Sequence, residues 1–191
     1  MKIKEVSILR FLLSSIVICL GIIFSNILNV EARIPYTYLN IGGLTPDQQI
    51  DSCFYVYGRP TANLAVRNCN GFNINEVTYN GELMVYYING GYNENGRIRA
   101  IICNEDNITT NLGIRVGMNK NDVLYAYGDP DRNYRETQGT TWCYLADSED
   151  HPNMPLYFFF DNRDVIKTIV VGDIGYYYCL LYTSPSPRDR S

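Results

Sequence analysis

Hydrophobic and polar residues alternate in several short stretches of the chain, a pattern typical of β-strands with one buried face. The alternation is clearest at Leu156–Asp161, where Tyr157 and Phe159 fall on one side and the other apolar side chains on the opposite side. Asn80-Gly81 lies between two such stretches and is the strongest short signal for a β-hairpin. The further predicted strands are Val77–Tyr79, Leu83–Ile88, Arg97–Cys103, Thr140–Leu145 and Val165–Val171.

A short predicted helix precedes each group of strands. Both helices end in the sequence Tyr-Gly-x-Pro, at Tyr57–Pro60 and Tyr127–Pro130. The glycine can adopt the left-handed conformation that ends a helix, and the proline prevents the helix from resuming. Thr45 is the predicted N-cap of the first helix, with Pro46 at the first helical position, and Asn119 is the predicted N-cap of the second.

The same order of elements therefore occurs twice along the chain. It predicts an α+β protein with two related modules, residues 33–107 and residues 108–178. Each module is expected to be a short helix, or two, packed on a three- to four-stranded antiparallel sheet.

The N-terminal residues 1–32 have the pattern of a signal peptide. Lys2, Lys4 and Arg10 precede an uncharged run over residues 11–30, and cleavage is expected before Arg33. The alternative is an uncleaved anchor, because the run is long enough to span a bilayer. Either interpretation predicts a bacterial protein exported to the periplasm or the medium, with membrane contact only through this segment if it is retained.

The C-terminal residues 179–191 have a different origin in our interpretation. Cys179–Asp189 resembles the translation of a transposase sequencing adapter over eleven consecutive residues. We therefore interpret residues 179–191 as a sequencing artefact. The alternative is an ordinary flexible tail rich in proline and serine.

Composition narrows the function classes. The 191 residues are 46% hydrophobic and 19% charged, so the chain can form a core. The net charge of −4 argues against nucleic-acid binding, which needs clustered Lys and Arg. A single histidine and the absence of metal-ligand spacing argue against a zinc site. No catalytic, cofactor-binding or metal-binding residue is assigned, and we expect a protein that is not an enzyme.

The cysteines favour disulfides in an exported chain. Outside the two terminal segments there are four, Cys53, Cys69, Cys103 and Cys143. An even number is typical of oxidising compartments, although sequence alone leaves all three pairings open. The favoured pairs are Cys53–Cys69 and Cys103–Cys143, and the alternative is a set of buried free thiols.

The second half resembles the small α+β module shared by outer-membrane-assembly lipoproteins of the SmpA/OmlA type and the β-lactamase-inhibitor proteins. The matching segments are Val116–Val123, Tyr127–Pro130, Trp142–Tyr144, Leu156–Asp161 and Val165–Ile169. A tandem pair of such modules is similar to the inhibitor arrangement. The resemblance implies a non-enzymatic protein that binds or scaffolds other proteins, although this chain has no lipid-anchor cysteine motif.

Aromatic side chains are the candidate contacts for a protein partner. Helices cover only one face of a sheet, so the second face is expected to present aromatic surface. The candidate contact residues are Trp142, Tyr144, Tyr157, Phe159 and Tyr86. The alternatives are that the two halves pack together on that face, or that the tyrosines are half-exposed without any partner, as tyrosine tolerates.

Two further functions remain open from the sequence. The first is inhibition of an extracytoplasmic enzyme by an inserted loop, for which Asn89–Gly96 is the longest candidate. The second is a hydrolase that uses the acidic loop containing His151. The identity of the partner protein is not encoded in a recognisable motif.

Overall fold

The computed structural model describes residues 33–69, 72–89, 96–147 and 154–173. The chain divides into two units, residues 1–32 and residues 33–191. The predicted signal peptide, the predicted artefact and His151 lie outside the described residues. Within the described residues, no helix is long and apolar enough to cross a membrane.

The described strands form one nine-stranded mixed sheet. Their bounds are β1 Ile34–Pro35, β2 Ala62–Cys69, β3 Phe72–Tyr79, β4 Leu83–Asn89, β5 Ile98–Cys103, β6 Arg132–Glu136, β7 Gly139–Asp147, β8 Met154–Asp161 and β9 Ile166–Gly172. The order across the sheet is β1-β7-β8-β9-β5-β4-β3-β2, and β6 also pairs with β7. β1 and β7 are parallel, and the other pairs are antiparallel.

Two eight-residue helices, α1 (Ile50–Tyr57) and α2 (Lys120–Tyr127), precede β2 and β6. Both end as the sequence predicts, at Gly58 and Gly128, whose φ angles are 74° and 76°. The predicted cap of α2 is confirmed, because the Asn119 side chain accepts a hydrogen bond from the N–H of Asn121.

The predicted cap of α1 is wrong. The helix begins at Ile50, after an N-cap residue, Gln49, whose side chain makes no capping hydrogen bond. Asp47 has a φ angle of 65°, which interrupts any helical turn starting at Thr45. The Asp47 carboxylate holds this loop on β5 through a 2.7 Å ion pair with Arg99.

The predicted fold class of two modules, each with its own small sheet, is also wrong. β5 and β9, the last strands of the two halves, pair with each other in the register Ile101↔Val171 and Ile102↔Val170. These four side chains are buried. Two separate sheets would leave two long apolar edges unpaired, and such edges promote aggregation. Pairing them yields one continuous sheet.

Both helices pack on the same face of this sheet, here called the core face. Ile50 and Cys53 of α1 and Val123 and Tyr127 of α2 belong to the main hydrophobic cluster on that face. A second, smaller cluster lies on the opposite face, here called the second face. The two halves are joined edge to edge, so the alternative that they pack against each other through their second faces does not hold.

Neither favoured disulfide is formed, since Cys53, Cys103 and Cys143 are buried free thiols. Cys53 lies beside Tyr79 at one end of β3, whereas Cys69 pairs with Phe72 at the other end, roughly 20 Å away at about 3.3 Å per residue. Two strands separate Cys103 from Cys143, a distance of about 14 Å at a strand spacing of about 4.8 Å. A disulfide requires Cα atoms within about 7 Å.

Candidate protein-binding surface on the second face

The predicted alternation along β8 is confirmed. Leu156, Phe158 and Phe160 are buried in the core-face cluster. Tyr157 and Phe159 are half-buried and pack against the second-face cluster, with ring centroids 6.1 Å apart. Because these two rings are only partly covered, they are the members of the predicted set that are available on the second face.

Trp142 and Tyr144 lie on the other side of the sheet, in the core. The Tyr144 ring is fully buried, and its hydroxyl donates a 2.8 Å hydrogen bond to the backbone oxygen of Gly128. Trp142 packs edge-on against Phe160 at 5.2 Å, with Nζ of Lys120 4.9 Å above its ring. Both side chains anchor α2 and its flanks to β7, so a surface that contains Tyr157 does not contain them.

Tyr86 is on the second face but is only 3% exposed. It belongs to a cluster with Ile74, Ala100, Ile102 and Val170. Its contribution to the second face is therefore packing within this cluster, and Tyr157 and Phe159 of β8 pack against the same cluster.

β6 brings two further residues to these rings that sequence reasoning missed. Tyr134 of β6 and Phe159 of β8 both pair with Thr141 of β7, one from each side. Arg132 and Tyr157 pair with Cys143 in the same way. Tyr134 is 43% exposed. We call the set Arg132, Tyr134, Tyr157 and Phe159 the aromatic patch.

The missed strand explains the missed residues. All five residues of β6 are exposed, and its sequence, Arg-Asn-Tyr-Arg-Glu, lacks an apolar face. The sequence does carry one signal for β6, a turn just before Gly139. A clear strand follows this turn, so the residues that precede the turn are the expected hairpin partner. Once β6 is paired with β7, Arg132 and Tyr134 necessarily share the face of Tyr157.

The ionisable groups in and next to the aromatic patch include the buried thiol of Cys143 and the exposed guanidinium of Arg132. Burial raises the pKa of the Cys143 thiol to about 11, although Tyr157 and Arg132 both lower it. The thiol is therefore protonated at neutral pH and is a poor nucleophile. A hydrogen bond to Tyr134 raises the pKa of Arg132, which stays cationic.

Two other predicted sites fall largely outside the described residues. In the candidate inhibitor loop Asn89–Gly96, residues 90–95 lie outside the described residues, and in the acidic loop with His151 residues 148–153 do. Within the part of the chain that the structure describes, no group of three or more His, Cys, Asp or Glu side chains could hold a metal ion.

Comparison with known proteins leaves the family open. No family model matches the chain, and no curated protein matches it. One similar solved structure is YjgB, a DUF4309 family protein from Bacillus subtilis, with a TM-score of 0.39, 16% identity, and coverage of 73% of this chain and 86% of that one.

Another is an extracellular protein containing an SCP domain from Bacillus anthracis, with a TM-score of 0.41 and 9% identity. The match covers 78% of this chain and 49% of that protein. Neither structure is of the SmpA/OmlA or β-lactamase-inhibitor type, so that resemblance stays a prediction from the sequence.

Proposed function

We propose that this chain is an exported, non-enzymatic binding protein that contacts another protein through the aromatic patch. The observation that carries the proposal is the position of Tyr134. Tyr134 is 43% exposed and lies on the same face of the sheet as the half-buried Tyr157 and Phe159, with β7 between them. It is near enough to Tyr157 to raise the pKa of that phenol. Export rests on the N-terminal signal pattern.

The composition of the patch supports a role in binding. Tyr and Arg are enriched among the few residues that supply most of the energy of protein interfaces. Tyr157 and Phe159 are held on a strand that is paired on both sides, by β7 and β9. A rigid aromatic surface loses little conformational entropy when a partner binds.

The hydrogen-bonding groups of the patch complement its apolar area. The Arg132 guanidinium interacts with Tyr134, and it has donors left for a carboxylate or carbonyl group of a partner. In this arrangement the rings supply buried area and the arginine supplies orientation. We expect the partner surface to carry an acidic or carbonyl-rich rim around an apolar centre.

The experiment is affinity capture by the tagged protein from the envelope and culture fluid of its host. The test variants are Tyr134→Ala and Arg132→Ala, both at exposed positions of β6. The matched control is Tyr125→Ala, because Tyr125 is 96% exposed on α2, on the other side of the sheet.

We expect the wild type and Tyr125→Ala to retain the same protein, and both test variants to lose it. Equal retention by all four would contradict the proposal. If the retained protein is an enzyme, its activity with and without this chain separates an inhibitor from a scaffold.

A further inference from the structure

A cleft lies on the core-face side of the sheet, opposite the face that carries the aromatic patch. It is a cleft of about 550 Å³ at the end of the sheet where β3 turns into β4 and β5 ends. Clefts of roughly 300–1,000 Å³ are the usual size for small-molecule sites. The residues that line it come from the end of α1 and the turn after it, from the β3–β4 turn, and from the segment after β5.

The floor of the cleft is aromatic and aliphatic. Tyr57 and Tyr79 lie with ring centroids 5.4 Å apart, and Leu83 and Ile108 complete the apolar lining. The Tyr57 hydroxyl donates to the backbone oxygen of Gly42 at 2.8 Å. Burial raises the pKa of Tyr57 to about 12, so the ring is neutral at physiological pH. The floor therefore offers uncharged aromatic surface in a fixed position.

The rim of the cleft is polar and balanced in charge. Arg59, Asn80, Glu105 and Asn107 line it. Each has a planar hydrogen-bonding group, and none of these side chains makes a hydrogen bond or ion pair with another described residue. The one positive and one negative side chain offset each other, so the rim does not select an ion of either sign.

The second half of the chain shows the corresponding position closed. Tyr127 ends α2 as Tyr57 ends α1, and its ring lies 5.4 Å from Tyr144, matching the distance between Tyr57 and Tyr79. Tyr127 is only 8% exposed, and Tyr38 packs edge-on against it at 6.2 Å. The position of Arg59 is taken by Asp129. Only the first half thus combines an accessible tyrosine ring with this polar rim.

We propose that this cleft binds a neutral saccharide. Adjacent hydroxyl groups of a sugar each donate and accept hydrogen bonds, and planar amide, carboxylate and guanidinium groups can meet two of them at once. The C–H face of a sugar ring is apolar and packs on aromatic rings. A neutral polyhydroxylated ligand therefore matches three features of the cleft. Its apolar face suits the aromatic floor, its hydroxyl groups suit the four polar side chains of the rim, and its lack of charge suits a rim with no net charge.

The test is saturation-transfer NMR with the whole protein and defined probes. The saccharide probes are glucose, N-acetylglucosamine and their β-1,4-linked disaccharides, and the ionic probes are glutamate and inorganic phosphate. Co-sedimentation with insoluble glycans of the same sugars shows whether the protein binds a polymer as well as a free sugar. The variants are Arg59→Ala and Glu105→Ala, with Asp129→Ala as the matched control in the second half.

We expect at least one saccharide to receive magnetisation, with a Kd weakened on the order of tenfold in Arg59→Ala and Glu105→Ala and unchanged in Asp129→Ala. Transfer to no saccharide, transfer that both rim substitutions leave unchanged, or transfer to the ionic probes alone would overturn the proposal. The cleft and the aromatic patch lie on opposite faces of the sheet, so this result is independent of the capture experiment.

Discussion

At the scale of single residues, one hydrogen bond fixes the end of each helix to the sheet. The Tyr79 hydroxyl donates to the backbone oxygen of Gly58 at 3.1 Å, and the Tyr144 hydroxyl donates to that of Gly128 at 2.8 Å. The glycines turn the chain out of the helix with positive φ angles, which places their carbonyl groups towards the sheet. The same contact in both halves positions Tyr57 and Tyr127 beside these strands.

We expect Tyr144→Phe to lower the free energy of unfolding by about 1 kcal/mol, the usual net contribution of one hydrogen bond. The substitution keeps the buried ring and removes the hydroxyl that donates to the backbone oxygen of Gly128. Urea titration followed by far-UV circular dichroism measures the change. Tyr134→Phe is the control, because Tyr134 is 43% exposed and solvent replaces its hydroxyl. Equal stability of Tyr144→Phe and the wild type would contradict the assigned role of this bond.

At the scale of elements, the two helices have the same length and end in the same way but begin differently. α2 has a capping box in which Asn119 and Asp122 satisfy each other's backbone N–H groups. α1 has no side-chain cap and follows a loop tied to β5 by Asp47 and Arg99. The start of α2 therefore depends on its own sequence, whereas the start of α1 depends on tertiary contacts.

Asn119→Ala should destabilise the protein by about 1 kcal/mol, the usual value of an N-cap side chain. Gln49→Ala, at the equivalent position before α1, removes no capping hydrogen bond and should have a smaller effect. The midpoints of thermal unfolding of both variants, compared with the wild type, provide the check. A larger loss in Gln49→Ala than in Asn119→Ala would contradict the difference between the two helix starts.

The sequence predicted those elements whose signals are local. Asn119 and Asn80-Gly81 identify a helix start and a hairpin through their own backbone preferences, and both are in place. β6 was missed because its pairing with β7, rather than a hydrophobic pattern, makes it a strand. Tyr134 was therefore absent from the predicted site, and Trp142 was included because sequence alone does not give the face to which it points.

At the scale of the whole molecule, the pairing of β5 with β9 determines how the surfaces are arranged. It joins the two halves into a single sheet, with both helices on the core face. The pairing was not predictable, because buried strands of similar composition can pair in several orders. As a consequence, the aromatic patch and the cleft lie on opposite faces of the same sheet.

Stability should fall at alkaline pH. Burial raises the pKa of Cys103 and Cys143 from 9.0 to about 11, and that of Tyr57 and Tyr127 from 10.0 to about 12. At a pH between the lower value, which applies to the unfolded chain, and the higher value, which applies to the folded chain, each group keeps its proton only in the folded chain. The free energy of unfolding therefore decreases as pH rises through this range. The contribution is complete below about pH 9 and is lost progressively up to about pH 12.

Urea midpoints at pH 8, 10 and 11, followed by circular dichroism, measure this effect. A sample returned from pH 11 to pH 8 is the control for irreversible damage. A midpoint that stays constant from pH 8 to pH 11 would contradict the burial of these thiols and phenols.

The central claim is that the aromatic patch contacts another protein, and site-specific photo-crosslinking in the host tests it most directly. A photoreactive amino acid is placed at Tyr134 in one variant and at Tyr125 in another, since both side chains are exposed but lie on opposite sides of the sheet. We expect a defined covalent adduct from position 134 and none from position 125. No adduct at position 134, or the same adduct from both positions, would contradict the claim.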